Sequence, residues 1–152
     1  MPTYAPIPTI EWHDDYAISL DALDLDAESL FGSLDDYIRS INNRLGAEVI
    51  RNKLSALEAH LLRHFEDEER LMAEIAAAGT DAHRREHAAF ALRLRAIRRM
   101  RQSEVVRAHE LLILFRTWIA GHLTVRDREF GRLIAATRPV PWSVAQADGV
   151  PA

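Results

Sequence analysis

Three pairs of residues have the types and spacing needed to hold a metal ion. His64 and Glu68 stand four apart, as do His83 and His87, so on a helix both members of each pair leave the same face within about one turn. His122 and Asp127 form a third pair, five apart. Neutral imidazole is the commonest protein ligand for zinc, iron and copper, and carboxylates accept iron, manganese and zinc as well. One such pair on a solvated helix face adds only about 0.2–0.5 kcal/mol and needs no ion. Six of these groups inside a bundle are costly to bury unless something pairs with them, and a metal centre does so. The chain has no cysteine. That excludes disulfides, thiolate metal sites, iron–sulfur clusters and cysteine nucleophiles, and leaves His and carboxylates as the ligands.

The elements that must position these residues read as helices. Leu30, Phe31, Leu34, Ile38 and Ile41 recur at three- and four-residue steps, predicting a first helix over 25–44. Val49, Leu54, Leu57, Leu61, Phe65, Met72 and Ile75 keep that spacing over 47–77, ahead of a glycine stop at Gly79. With Thr80 as N-cap, a third helix spans 81–102, carrying Ala89, Phe90, Leu94 and Ile97 on one stripe. Ser103 then caps a fourth over 104–137, which Pro139 stops. No segment alternates apolar and polar residues between turn signals, so the class is all-α. Short connections predict an up-down-up-down antiparallel four-helix bundle over 25–137. Residues 1–24, with three prolines, read as an extended N-terminal arm that Trp12 packs onto the bundle, and 138–152, again with three prolines, as a flexible C-terminal tail. His122 and Asp127 lie about 140° apart on an ideal helix. Both point inward only if the helix loosens, which predicts a distortion near Thr124.

With 152 residues the chain suits one domain, and 19 Lys and Arg against 23 Asp and Glu give a net charge of −4, which offers no general attraction to nucleic acid or anionic lipid. The N-terminal MPTYAPIPTIEW lacks the basic start and apolar stretch of a signal peptide, and the longest apolar run, 111–115, is far too short to span a bilayer. The chain therefore reads as soluble and cytoplasmic, a monomer with neither nucleic acid nor membrane as partner. Arg93, Arg95, Arg98, Arg99 and Arg101 form a basic run without interleaved aromatics, which reads as a solvated helix face. His13 and His109 lie away from the three pairs and read as structural or exposed.

In order, the arm IEWHDDYAISL, then LDLDAESLF, HFEDEERLM, HRREH and WIAGHLTVRD resemble the hemerythrin family, in particular its bacterial members, over about residues 10–134. The resemblance implies a non-heme di-iron centre. His83, His87 and His122 would hold one iron, and Glu68 and Asp127 would bridge it to a second that also takes His64. The family has a further histidine ligand at the start of the first helix, where this chain has Ala27. Three outcomes stay open. His60, one turn before His64, could supply a replacement imidazole. Glu28 or Asp26 could coordinate, although each is rotated by about 100° from Ala27. Otherwise the second iron is underligated, or one metal alone is bound. Trp118, Ile119, Leu71 and Met72 fall close to the ligands and read as an apolar wall around the site. The implied function is binding of dioxygen, as carrier, store or sensor, rather than enzymatic turnover. The alternative is a redox enzyme reducing peroxide or nitric oxide, which the missing ligand at Ala27 makes more plausible.

Overall fold

Wherever apolar side chains recur at helical steps the chain is helical, and the computed structural model, which describes residues 5–137, has no strand among them. The predicted tail over 138–152 and residues 1–4 of the arm lie outside the described residues. Helix α1 spans Asp21–Asn42, α2 Ala47–Glu74, α3 Thr80–Arg99 and α4 Glu104–Trp118. The last continues through a π-helical segment, Ile119–Asp127, into α5, Arg128–Thr137. Helix α2 packs against α1 and α3, and α4 packs against α3 and α1. No helix among the described residues is long and apolar enough to cross a membrane.

The helix ends differ from the predicted ones for local reasons. Helix α1 begins at Asp21 rather than 25, because Asp24 sits inside its first turn and reaches back to the preceding chain. Its carboxylate accepts the backbone N–H groups of Ile18 at 2.8 Å and Leu20 at 3.0 Å. Helix α2 stops at Glu74, ahead of the predicted glycine stop, and Ala76 takes a left-handed φ of 49° just beyond it. Gly79, with φ 81°, instead occupies the position before α3. Thr80 is consequently a helical residue and not the N-cap, its hydroxyl donating to the Ala77 carbonyl at 2.6 Å. Helix α3 ends at Arg99 instead of 102. Ser103 does cap α4, its Oγ accepting the Val106 N–H at 3.2 Å.

Two apolar clusters fill the interior. The larger holds Leu30, Phe31, Leu61, Phe65, Leu94, Phe115 and Trp118 among others, and the smaller Ile18, Leu23, Met72, Phe130 and Ile134. Along α2, Phe65 belongs to the first and Met72 to the second, with Glu68 between them. Leu123 and Phe130 flank Asp127 in the same way. A polar layer thus separates the two cores.

The segment ahead of α1 lies against this body. Ile7 exchanges two hydrogen bonds with Asn42: its N–H donates to Oδ1 at 2.9 Å, and its carbonyl accepts from Nδ2 at 3.0 Å. Trp12 meets Phe31 edge-on with ring centroids 5.4 Å apart, and Tyr16 stacks on Phe31. Farther along, Ile18 crosses Gly131 of α5 so closely that a Cβ there would lie 2.4 Å from the Ile18 carbonyl oxygen. Glycine is required at that crossing for lack of space.

Candidate metal centre

Five of the predicted ligands converge. Glu68 comes from α2, His83 and His87 from α3, and His122 and Asp127 from the π-helical segment, all buried, with their donor atoms within 4.8 Å of one another. The π segment does what the spacing demanded. Its i→i+5 pattern brings residues five apart to one side of the helix, and the Thr124 hydroxyl joins it by donating to the Ile119 carbonyl at 2.8 Å.

Adjacent donors are evenly spaced. Asp127 Oδ1 lies 3.0 Å from both His83 Nε2 and His122 Nε2, and Glu68 Oε2 lies 3.2 Å from both His83 Nε2 and His87 Nε2. His87 Nε2 and His122 Nε2 are 3.0 Å apart. An ion with ligand bonds of about 2.1 Å in an octahedral shell sets neighbouring donors about 3.0 Å apart. Both Asp127 carboxylate oxygens are fully buried without a hydrogen-bond partner, and so is His64 Nε2. Buried polar atoms left this way are costly unless something else satisfies them. A cation fits that role. His64 stands beside the five with its Nε2 3.0 Å from the second oxygen of Glu68, Oε1.

The outer ring nitrogens are held by carboxylates outside the three ligand pairs. His64 Nδ1–H donates to Asp26 at 2.7 Å, His87 Nδ1–H to Glu69 at 2.9 Å, and His122 Nδ1–H to Glu86 at 2.7 Å. Each bond fixes the tautomer that leaves Nε2 facing inward. Glu86 is in turn held by Arg126 Nε at 2.9 Å. Sequence signals for these residues exist in hindsight, since Glu69, Glu86 and the Asp26–Ala27 pair each adjoin a predicted ligand position.

The carboxylates raise the proton affinity of the imidazoles they face. Burial alone would push the His64 imidazole down, yet Asp26 and Glu68 outweigh it and raise its pKa to about 10. His83 follows the same balance, lowered by burial and raised further by Asp127 and Glu68, to about 9. His122 is also raised, Asp127 overcoming the cost of burial. Burial likewise disfavours the Glu68 carboxylate, but His64, His83 and His87 hold it well below the ordinary carboxylate range.

The remaining candidates divide. His60 is not brought into the cluster: its Nε2–H donates to Asp26 at 3.0 Å and its Nδ1 meets Ser33 Oγ at 2.9 Å, so neither nitrogen is left for an ion. Asp26 spends both oxygens on His60 and His64, and Glu28 is exposed. Ala27 is buried. Trp118 stacks on His122, with centroids 6.2 Å apart and planes 16° from parallel. Ile119 is half-buried at the edge of the larger core, Met72 is buried in the smaller one, and Leu71 lies half-buried at its rim. Phe65, a core position by its helical spacing, also stacks on His87 with ring centroids 3.9 Å apart. His13 and His109 are exposed, as is the arginine run, in which Arg95 and Arg98 pair with Glu58.

No curated protein and no solved structure matches the chain. A family model, described as the hemerythrin HHE cation binding domain, matches residues 19–134. That match starts just ahead of α1, ends within α5 and takes in all six inward-facing donor residues. The helices that carry them and the family's cation-binding character agree, and the chain belongs to the hemerythrin HHE cation-binding domain family.

Proposed function

We propose that the chain binds two non-heme iron ions and, through them, dioxygen or another small diatomic or peroxide ligand, as a carrier, store or sensor. The observation that carries this reading is the convergence of five buried donors from three segments of the bundle at 3.0–3.2 Å spacing. His83, His87 and His122 would hold the first ion. Glu68, whose Oε1 faces His64 and whose Oε2 faces His83 and His87, and Asp127 would bridge to a second ion that takes His64. Bound iron supplies redox electrons and an open coordination position for a small ligand. The protein's part is to hold the imidazoles through Asp26, Glu69 and Glu86 and to keep water out with Phe65 and Trp118, the aromatic rings that pack against His87 and His122.

The wider reading is an up-down-up-down antiparallel bundle with an N-terminal arm. It is supported by side-chain pairs between α1 and α2 whose order reverses: Asp26 with His64, Ser33 with His60, Asp36 with Lys53. It includes action in the cytoplasm as a monomer.

A second reading, as an enzyme reducing peroxide or nitric oxide, is favoured by one observation: α1 presents the buried methyl group of Ala27 and no imidazole of its own. Metal content of anaerobically purified protein, followed by the visible spectrum as oxygen is admitted and withdrawn, tests both. Two irons per chain with a band that comes and goes with oxygen support the carrier. Fast peroxide consumption without a reversible band supports the enzyme. A chain that takes up no iron overturns both.

A further inference from the structure

The inference that follows rests on the two-ion reading above. In that reading the second ion has His64 as its one imidazole, because Ala27 gives α1 no donor. A lone imidazole that turns freely about its side-chain bonds holds an ion poorly, since each ordering of the ring has to be repeated on binding. Here the ring is already ordered. Asp26 reaches from α1 to α2 and spreads its two oxygens over two rings one turn apart, accepting His64 Nδ1–H at 2.7 Å and His60 Nε2–H at 3.0 Å. A carboxylate only accepts, so the His64 ring must carry its proton on Nδ1 and aim Nε2 at Glu68 Oε1, 3.0 Å away. His60 is fixed at its other nitrogen by Ser33 Oγ, 2.9 Å away. Both rings are buried, whereas the Asp26 side chain is 29% exposed, so the carboxylate closes the polar layer at the surface between α1 and α2.

We infer that Asp26 is the positioning residue of the second metal position: braced by His60 and Ser33, it holds His64 in the ring orientation and tautomer that a second ion requires, at the point in the fold where α1 contributes no ligand. The role differs from a helix-to-helix ion pair in a measurable way. A purely structural bond would serve both ions equally, whereas a positioning bond serves the ion that His64 holds.

The test is an anaerobic iron(II) titration of the full chain, resolving two binding steps, on the parent, Asp26→Ala, Asp26→Asn and, as an α1 control, Asp35→Asn, which breaks the Asp35–Arg39 pair on the same helix. Asp26→Ala is expected to weaken the second step about 10- to 100-fold and leave the first unchanged. Asp26→Asn, which keeps an acceptor for His64 but loses the charge, falls between. Nitrogen-15 spectra of the zinc-loaded protein add a readout independent of activity: the His64 Nδ1–H signal is present in the parent and exchange-broadened in Asp26→Ala. Should Asp26→Ala fail to fold by circular dichroism, Asp26→Asn decides. Equal weakening of both steps, or of neither, overturns the inference. A parent chain that binds one equivalent overturns it while leaving the five-donor half standing, and a parent that binds none overturns the proposed function itself.

Discussion

At the scale of single residues, carboxylates outside the five-donor cluster hold the imidazole rings in place. Glu86, on α3, accepts the His122 Nδ1–H and is itself gripped by Arg126, so it fixes the His122 ring on the π-helical segment. Glu86→Ala is expected to lower iron affinity about 10- to 100-fold, the usual cost of losing such a partner. Glu66→Ala, an exposed position two residues before Glu68, is expected to change nothing. Competition with a chelator of known affinity measures both, and equal losses for the two would sink the argument. The convergence of the donor residues was legible in the sequence, because a spacing of four puts His64 with Glu68 and His83 with His87 on shared helix faces. Their carboxylate partners were not, because a residue next to a ligand points about 100° away, and what it meets there depends on which helix packs alongside. Asp26 shows the difference. Its rotation of about 100° from Ala27 suits it poorly as a ligand and turns it toward His64 and His60 on α2.

Among the elements, the π-helical segment was the most legible departure from regular structure and the N-terminal segment the least. His122 and Asp127 could not both face inward on an α-helix, so a local loosening followed from two residues alone. Removing the Thr124 hydroxyl, which donates to the Ile119 carbonyl, tests that segment: Thr124→Val is expected to cost about 1 kcal/mol in urea unfolding. The start of α1 escaped the periodicity because Asp24 acts on chain outside the helix. Its two hydrogen bonds to Ile18 and Leu20 have no repeat to reveal them. The same segment meets α5 at Gly131, a contact between residues far apart in sequence that no local pattern encodes. Gly131→Ala puts a methyl group into the Ile18 backbone and is expected to destabilise by about 1–3 kcal/mol, with faster amide exchange near Leu20. Gly32→Ala on α1, where a Cβ meets nothing within 4 Å, is expected to stabilise by about 0.5–1 kcal/mol instead. A shared sign for the two glycines would contradict the crossing.

For the whole molecule, a layer of ionisable groups divides two apolar cores, so the stability that a metal adds must depend on pH. In the metal-free chain the folded pKa of His64 is raised to about 10 and that of His83 to about 9, above the ordinary value near 6.5. Groups raised on folding stabilise fully below their unfolded pKa and lose that contribution as pH climbs through the folded one. The metal-free chain therefore weakens between about pH 6.5 and 10. Glu68, held low, sets the other limit: its contribution is present above about 4.5 and fades as pH falls toward its depressed pKa. Metal binding needs neutral imidazoles, so an ion must displace protons from His64 and His83 at pH 7, and its affinity rises as pH rises. Because an ion bound only by the folded chain adds stability in proportion to the logarithm of its affinity, the gap in melting temperature between loaded and metal-free protein widens with pH. Melting curves with and without iron(II) under nitrogen, from pH 5.5 to 8.5, measure that gap directly. Calorimetry of binding in two buffers of different ionisation enthalpy adds the proton count, expected to exceed one per chain at pH 7. A gap that stays flat, together with binding that releases no protons, would mean that the imidazoles are neutral before the ion arrives and that the carboxylates do not hold them charged.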